Sequence, residues 1–340
     1  MPASIDIMKF MGMGIEHPIL DVRTPAEFEQ GHIYGAINFP LFDNEERVII
    51  GTLYKQEGRE KAIIRGLDLV RPKIGLFVER AKELNKTGTY LVHCWRGGMR
   101  SGSLSWLLEM YGFKVYTLKG GYKSFRKFVL NSFIVPRSVT VLGGNTGSGK
   151  TAVLDELKKR NEQVIDLEKL ASHKGSSFGS LGEEKQPTQE QFENDLAAEL
   201  HSCNPQKKIW IEDESRMIGK KVIPGGLWEQ MRAANVLFLD IPFKERTAYL
   251  TKEYGKYNKA DLKNAIERIT KRLGPEQTKL ALESLENKDI STVCEICLHY
   301  YDKAYQHGIN KRDKRKITTI SFNEINPLHI TQKIINEWKK

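Results

Sequence analysis

The segment GGNTGSGKT at residues 143–151 limits the possible folds of this chain more than any other stretch. It contains Gly144, four intervening residues, then Gly149, Lys150 and Thr151, between the apolar run Val139–Leu142 and the amphipathic stretch GKTAVLDELKKRN. Such a loop needs both flanks. The strand carries it to the end of a sheet, and the helix turns unpaired N-terminal amides toward an anion. This context predicts an α/β layer built on a parallel sheet. Gly144, Gly147, Ser148 and Gly149 are then expected around a phosphate, with Lys150 as a point charge and Thr151 placed to ligate Mg²⁺.

The pattern continues downstream. QVIDLE, KIWIEDE and NVLFLDIP read as further strands. KIWIEDE ends in Glu212, Asp213 and Glu214, where a metal-organising carboxylate is expected; Asp213 is taken for Mg²⁺, against a merely solvated acidic strand end. Asp166 and Glu168 are similar candidates. The Gly/Ser-rich stretch 172–179 reads either as a loop closing on a ligand or as a plain surface loop. From Lys244 the sequence is mainly helical: Leu262, Ile266, Ile269 and Leu273 recur at helical spacing, and Gly274 with Pro275 marks a stop. KITTISF supplies one more edge strand. Residues 138–340 are therefore read as a P-loop NTPase-like parallel-sheet domain with a mainly helical C-terminal part.

Residues 1–137 form a separate α/β series. PILDV precedes PAEFEQGH, TYLVHC precedes SGSLSWLLEMYG, and KVYTL precedes GGYKSFRKFV. Leu104, Leu107, Leu108 and Tyr111 fall at helical spacing, and Gly112 suits a C-cap. Pro136 ends the series in a connector, so the boundary is placed near residue 137. HCWRGGMRSG, residues 93–102, thus lies between a strand end and a helix N-terminus. Amides there stabilise negative charge and lower the pKa of an enclosed thiol; Gly97 and Gly98 allow the backbone path, and Arg96 and Arg100 add positive charge. Cys94 is the expected nucleophile, facing an anion. A buried structural thiol is the alternative.

LDVRTPAEFEQGHIYGAINFP (20–40) and YLVHCWRGGMRS together resemble the rhodanese-like domains. Ordinary sulfurtransferases of that fold separate cysteine and arginine by four residues, whereas Cys94 and Arg100 are separated by five, the spacing of the phosphatase branch. Phosphatase chemistry, sulfur transfer and selenium transfer from a phosphate-sized donor all remain open on this loop alone. With GGNTGSGKT downstream, and with GGYKSFRKFV and DLEKLASHKGSSFG, nearly the whole chain resembles the tRNA 2-selenouridine synthases. That resemblance implies a transferase acting on tRNA with wobble 2-thiouridine. Geranyl pyrophosphate would S-geranylate the base, and selenophosphate would then supply selenium. It further implies Cys94 as an S-selanylcysteine intermediate, with the downstream loop on the pyrophosphate. No tightly bound cofactor is expected beyond Mg²⁺.

Charge distribution agrees with a polyanionic partner. The chain carries +10, with 20 basic against 14 acidic residues in 1–137, 25 against 26 in 138–310, and 8 against 3 in 311–340. KRDKRK (311–316) reads as a solvated run able to meet phosphates. Four cysteines make no disulfide framework, the start MPASIDIMKFMGMG is unlike a signal peptide, and no apolar run approaches the ~20 residues of a membrane span. A cytoplasmic protein without membrane contact is expected; the sequence leaves the oligomeric state open. Cys294 and Cys297 form C-x-x-C, read as two positions on one helix face rather than, with His299 or His307, a zinc site.

Overall fold

The computed structural model describes residues 2–85 and 88–338. Backbone proximity divides the chain into two units, one of residues 1–132 with 193–195, the other of 133–192 and 196–340. The sequence boundary near 137 lies in the connector after the helix Gly121–Ser132.

Twelve strands are present among the described residues: β1 (Ala3–Ile5), β2 (Ile19–Asp21), β3 (Ile37–Asn38), β4 (Thr89–His93), β5 (Lys114–Leu118), β6 (Val139–Gly144), β7 (Gln163–Ile165), β8 (Ile209–Glu212), β9 (Met217–Ile218), β10 (Lys221–Val222), β11 (Asn235–Asp240) and β12 (Ile317–Ser321). The first unit holds a five-stranded parallel sheet in the order β1-β5-β4-β2-β3. The second holds another, β12-β11-β6-β8-β7, beside a small antiparallel pair β9–β10. The architecture is thus α/β, and the late run KITTISF is the edge strand β12. Central strands covered on both faces must be apolar throughout, and in β4 every residue from Tyr90 to His93 is buried.

Connection directions place the two loops. In the first sheet β4 leads to β5 on one side while its neighbour β2 leads to β3 on the other; in the second, β6 leads toward β7 while β11 leads to β12. A crevice opens at the carboxyl ends of strands whose connections diverge. The Cys94 loop follows β4, and the glycine-rich loop follows β6.

Helix Met99–Tyr111 ends at Gly112 in the left-handed region (φ 107°), as its sequence implied. Leu104 and Leu108 are buried along it, whereas Tyr111 at the same spacing is half exposed. Three further helices, Asn44–Gln56, Arg59–Val70 and Ile74–Leu84, occupy a stretch for which the sequence suggested none. In the second unit Leu262, Ile266 and Ile269 are buried, and Gly274 separates helix Thr270–Leu273 from Pro275–Glu286. Cys294 and Cys297 lie on helix Ile290–Ile309, packed among Val293, Ile296 and Leu298; burial pushes their thiols up to about 11 and about 12. No described helix is long and apolar enough to cross a membrane.

Candidate active site

Cys94 is buried at the mouth of β4, with Sγ accepting a hydrogen bond from the Gly98 amide at 3.3 Å and lying 3.2 Å from Ser101 Oγ. Ser101 Oγ is also 3.1 Å from the Gly98 carbonyl, so its single hydrogen can serve either the carbonyl or a thiolate. Burial alone raises the Cys94 pKa, but the Ser101 hydroxyl and the amides of Ser101, Arg96 and Gly98 outweigh it and hold the thiol below its ordinary value. The loop is an anion cradle around sulfur. Ser101 was not singled out from sequence, although it closes the quoted motif.

A second helix supports this loop from behind. Tyr122 N donates to Cys94 O at 2.8 Å and Lys123 N to Trp95 O at 3.0 Å. The approach is close because Gly121, at φ +59°, has no side chain: a Cβ there would stand 2.3 Å from Cys94 O and 2.4 Å from Gly97 N. This explains GGYKSF, which neither charge nor periodicity had explained.

The LDVRTP segment acts as a strut. Arg23 Nε reaches both Asp21 oxygens at 2.9 and 3.0 Å, and its Nη2 donates to Asp21 Oδ2 at 2.5 Å and to Gly31 O at 2.7 Å. The guanidinium lies 3.6 Å from the Tyr122 ring centroid. Both oxygens of Asp21 and the Nε and Nη2 of Arg23 are therefore partnered, as an ion pair without water requires. His93, 3.7 Å from Asp21, is fully enclosed, and burial pushes its pKa down to about 4, leaving the imidazole neutral.

The two arginines behave differently from each other. Arg100, expected to grip an anion, directs its fork at Glu27, with contacts of 2.6 and 3.0 Å. Glu27 is also the third residue of helix Pro25–Gln30, completing a capping box with Thr24. Arg100 thus ties the cysteine loop to that helix while still adding positive charge near Cys94. Arg96 is exposed and contributes its backbone amide to the thiol.

At the second loop Gly149 adopts φ 75° as the N-cap of helix Lys150–Lys159, whose first-turn amides have no partner within the helix. Lys150 Nζ bonds Gly144 O at 2.8 Å, and the Ser148 hydroxyl is buried without a hydrogen-bond partner among the described residues. Thr151 Oγ1 lies 3.3 Å from Glu168 Oε2. Gly144 thus ends β6, Gly147, Ser148 and Gly149 form the loop, and Lys150 and Thr151 open the helix.

The acidic strand end requires a correction. Asp213, expected to organise a metal, pairs with Arg312 through one oxygen and accepts the Tyr305 hydroxyl at 2.8 Å through the other. Tyr305 in turn accepts the Gly144 amide at 3.0 Å. Asp213 therefore holds the start of the phosphate loop in place, with both of its oxygens engaged by side chains of the protein. Arg312 is likewise not the solvated member of KRDKRK that the sequence suggested: it is buried and donates to Met231 O at 2.8 Å. The carboxylates beside Thr151 are Glu168, Glu212 and Glu214. Glu212 accepts the Glu168 amide at 2.8 Å through Oε1, and its buried Oε2 is unpartnered among the described residues. Burial, then the charges of Asp166, Glu168 and Glu214, pushes Glu212 well above the usual carboxylate range. Glu214, hydrogen-bonded to Glu168, is pushed up to about 8 by burial and by that neighbour. No three side chains among the described residues form a ready-made metal site.

The stretch 172–179 is anchored. Phe178 is buried, Ser177 Oγ donates to Ala265 O at 2.8 Å, and Ser177 N donates to the Tyr301 hydroxyl at 3.0 Å.

Comparison with known proteins assigns both units. A family model described as the tRNA 2-selenouridine synthase AAA domain matches residues 137–334, and one for the rhodanese-like domain matches residues 8–128. The tRNA 2-selenouridine synthase of Proteus mirabilis (strain HI4320) is 35% identical, covering 91% of this chain and 94% of its own. That of Shewanella halifaxensis (strain HAW-EB4) is 36% identical, covering 89% and 91%. A crystal structure of the N-terminal domain of a protein from Clostridium difficile 630 is 42% identical over 38% of this chain and 99% of its own, with a TM-score of 0.35.

Proposed function

Because the chain belongs to the tRNA 2-selenouridine synthase family, we propose that it is an enzyme that replaces sulfur by selenium in the wobble 2-thiouridine of tRNA. The observation that carries this reading is Cys94, a thiol held below its ordinary pKa by amides and the Ser101 hydroxyl. A thiol so held, inside a loop spaced for a tetrahedral anion, suits a nucleophile that bonds to the phosphorus of selenophosphate while the P–Se bond breaks and selenium leaves as selenide.

Geranyl pyrophosphate is the second donor in this scheme. The thiocarbonyl sulfur bonds to C1 of the geranyl group while the C1–O bond breaks, its electron pair leaves with pyrophosphate, and the base loses its N3 proton. Alkylation makes sulfur a better leaving group for the selenium that follows. The helix N-terminus and Lys150 suit the departing pyrophosphate. A Mg²⁺ ion bound with it would meet Thr151 and Glu168 rather than Asp213, and would neutralise charge on the leaving group.

Incubating tRNA with selenophosphate, geranyl pyrophosphate and the protein, then analysing nucleosides by mass spectrometry, tests the reading. Cys94→Ser should abolish 2-selenouridine while tRNA binding persists. Undiminished selenation would remove Cys94 from the chemistry. The five-residue spacing to Arg100 favours one rival, a cysteine phosphatase; turnover of a generic phosphate ester at a rate above that of selenation would support it instead.

A further inference from the structure

The rim of the cysteine loop carries side chains that a small anion does not need. Trp95, Arg96 and Met99 are exposed there, whereas His93, Cys94 and Ser101 beside them are buried. The anion cradle itself is built from backbone amides and the Ser101 hydroxyl. A tetrahedral anion held by those donors gains nothing from an indole. Yet Trp95 follows the nucleophile directly and keeps 38% of its surface in water, apolar area that only a ligand or partner can cover.

That indole is held in place from within. The Trp95 carbonyl accepts the Lys123 amide at 3.0 Å, and the indole meets the buried Tyr122 ring with centroids 5.7 Å apart. Tyr122 in turn packs against the Phe125 and His93 rings, at 5.6 and 6.1 Å. The Arg23 guanidinium, 3.6 Å from the Tyr122 centroid and 6.0 Å from that of Trp95, fills the angle between them. Trp95 is therefore the outer end of a packed group of rings, seated on one side and open on the other. A ring already fixed loses little side-chain freedom when a second flat ring settles on it. Stacking is a contact that every nucleobase offers through its π-face, and a neighbouring arginine suits the phosphate of a nucleotide.

We infer that Trp95 is the platform on which the wobble base stacks, presenting C2 of the pyrimidine to the Cys94 loop while the exposed Arg96 meets the RNA backbone. The inference rests on the reading that Cys94 serves a tRNA substrate. Consecutive Cα atoms stand about 3.8 Å apart, so a base resting on this indole is beside the anion cradle and not merely elsewhere on the same domain.

The test is a cycle of protein and RNA changes. An anticodon stem-loop with 2-thiouridine at the wobble position, and the same RNA abasic at that position, are each titrated into the full chain. Trp95→Ala should weaken the 2-thiouridine RNA about tenfold and leave the abasic RNA unchanged, and removing the base should weaken binding to the parent by a similar factor. Trp95→Phe should recover most of the loss. Trp106→Ala is the control, because that indole is 58% exposed on the same domain but lies two turns after Met99 along helix Met99–Tyr111; it should bind both RNAs as the parent does. Unchanged alkylation of Cys94 by iodoacetamide in Trp95→Ala reports that the loop keeps its shape. The platform is wrong if Trp95→Ala weakens both RNAs equally, or neither, or if Trp106→Ala has the same effect. The underlying reading is checked apart, since the parent should form 2-selenouridine in the thiolated RNA when given selenophosphate and geranyl pyrophosphate. Failure to do so would overturn the transfer reading whatever the titrations give, whereas selenation with equal weakening of both RNAs would remove Trp95 alone.

Discussion

Gly121→Ala tests whether the cysteine loop is shaped by the helix behind it. The new Cβ would lie 2.3 Å from Cys94 O, 2.4 Å from Gly97 N and 2.8 Å from Arg96 N, all backbone atoms that cannot swing aside. Real Cβ contacts keep beyond 3.0 Å, so loop and helix must separate by at least about 0.7 Å. The left-handed φ of +59° adds about 1–2 kcal/mol for any residue with a side chain, and overpacking adds about 1–3 kcal/mol. A total loss of about 2–5 kcal/mol in stability follows from these two costs. The chemical effect is separable. Gly98 N is already 3.3 Å from Sγ, so a shift of that size stretches the contact to about 4.0 Å and weakens it. A hydrogen bond to a charged group contributes about 1.5–3 kcal/mol, so the thiol pKa should rise by up to about two units. The assay is the pH dependence of iodoacetamide alkylation at Cys94, read by peptide mass, beside thermal unfolding. Gly102→Ala is the control: a Cβ there meets nothing within 4 Å. An alkylation pKa in Gly121→Ala equal to that of Gly102→Ala, in a folded protein, would refute the proposed support of the loop.

Two other changes probe buried charge. Arg312→Ala strands the Asp213 carboxylate against Tyr305 and should cost about 3–5 kcal/mol in denaturant unfolding, against under about 0.5 kcal/mol for the exposed Arg315→Ala; adding Asp213→Asn should restore part of the loss, and equal costs for the two arginines would show that the Asp213 pair is not a buried structural contact. His93 is neutral in the folded chain down to about pH 4 but protonates near 6.5 when unfolded, so its contribution is whole above pH 6.5 and is lost as pH falls toward 4. The swing is about 3 kcal/mol. It should appear as a flatter stability profile between pH 6.5 and 4.5 in His93→Gln than in the parent, and parallel profiles would place the His93 titration elsewhere. Asp21 and Glu27, whose carboxyls are held below their ordinary values, lose their contributions only at lower pH and so lie outside that window.

What the sequence could and could not show follows from the range of the interactions involved. Strands β4, β6, β8 and β11 were legible because a parallel strand covered on both faces must be apolar residue after residue, and the two loops were legible because anion cradles need glycine where the backbone turns. The helices between residues 44 and 84 were not, since Val48, Leu67 and Leu76 are more than 60% exposed and blur the stripe that a helix facing one core should show. The acidic strand end failed for a different reason. Asp213 and Arg312 are 99 positions apart, so nothing local in either segment reveals the pair. The chain turns there: β8 ends at Glu212, and Glu214 N donates back to Glu212 O at 3.0 Å across Asp213. That turn separates Glu212 and Glu214, which face Glu168 beside Thr151, from Asp213, which faces Tyr305 and Arg312. The two outer acids therefore crowd one another beside the phosphate loop, and the middle one is neutralised and holds the loop's first glycine. The basic tail segment thus reaches the phosphate loop through Arg312, Asp213 and Tyr305.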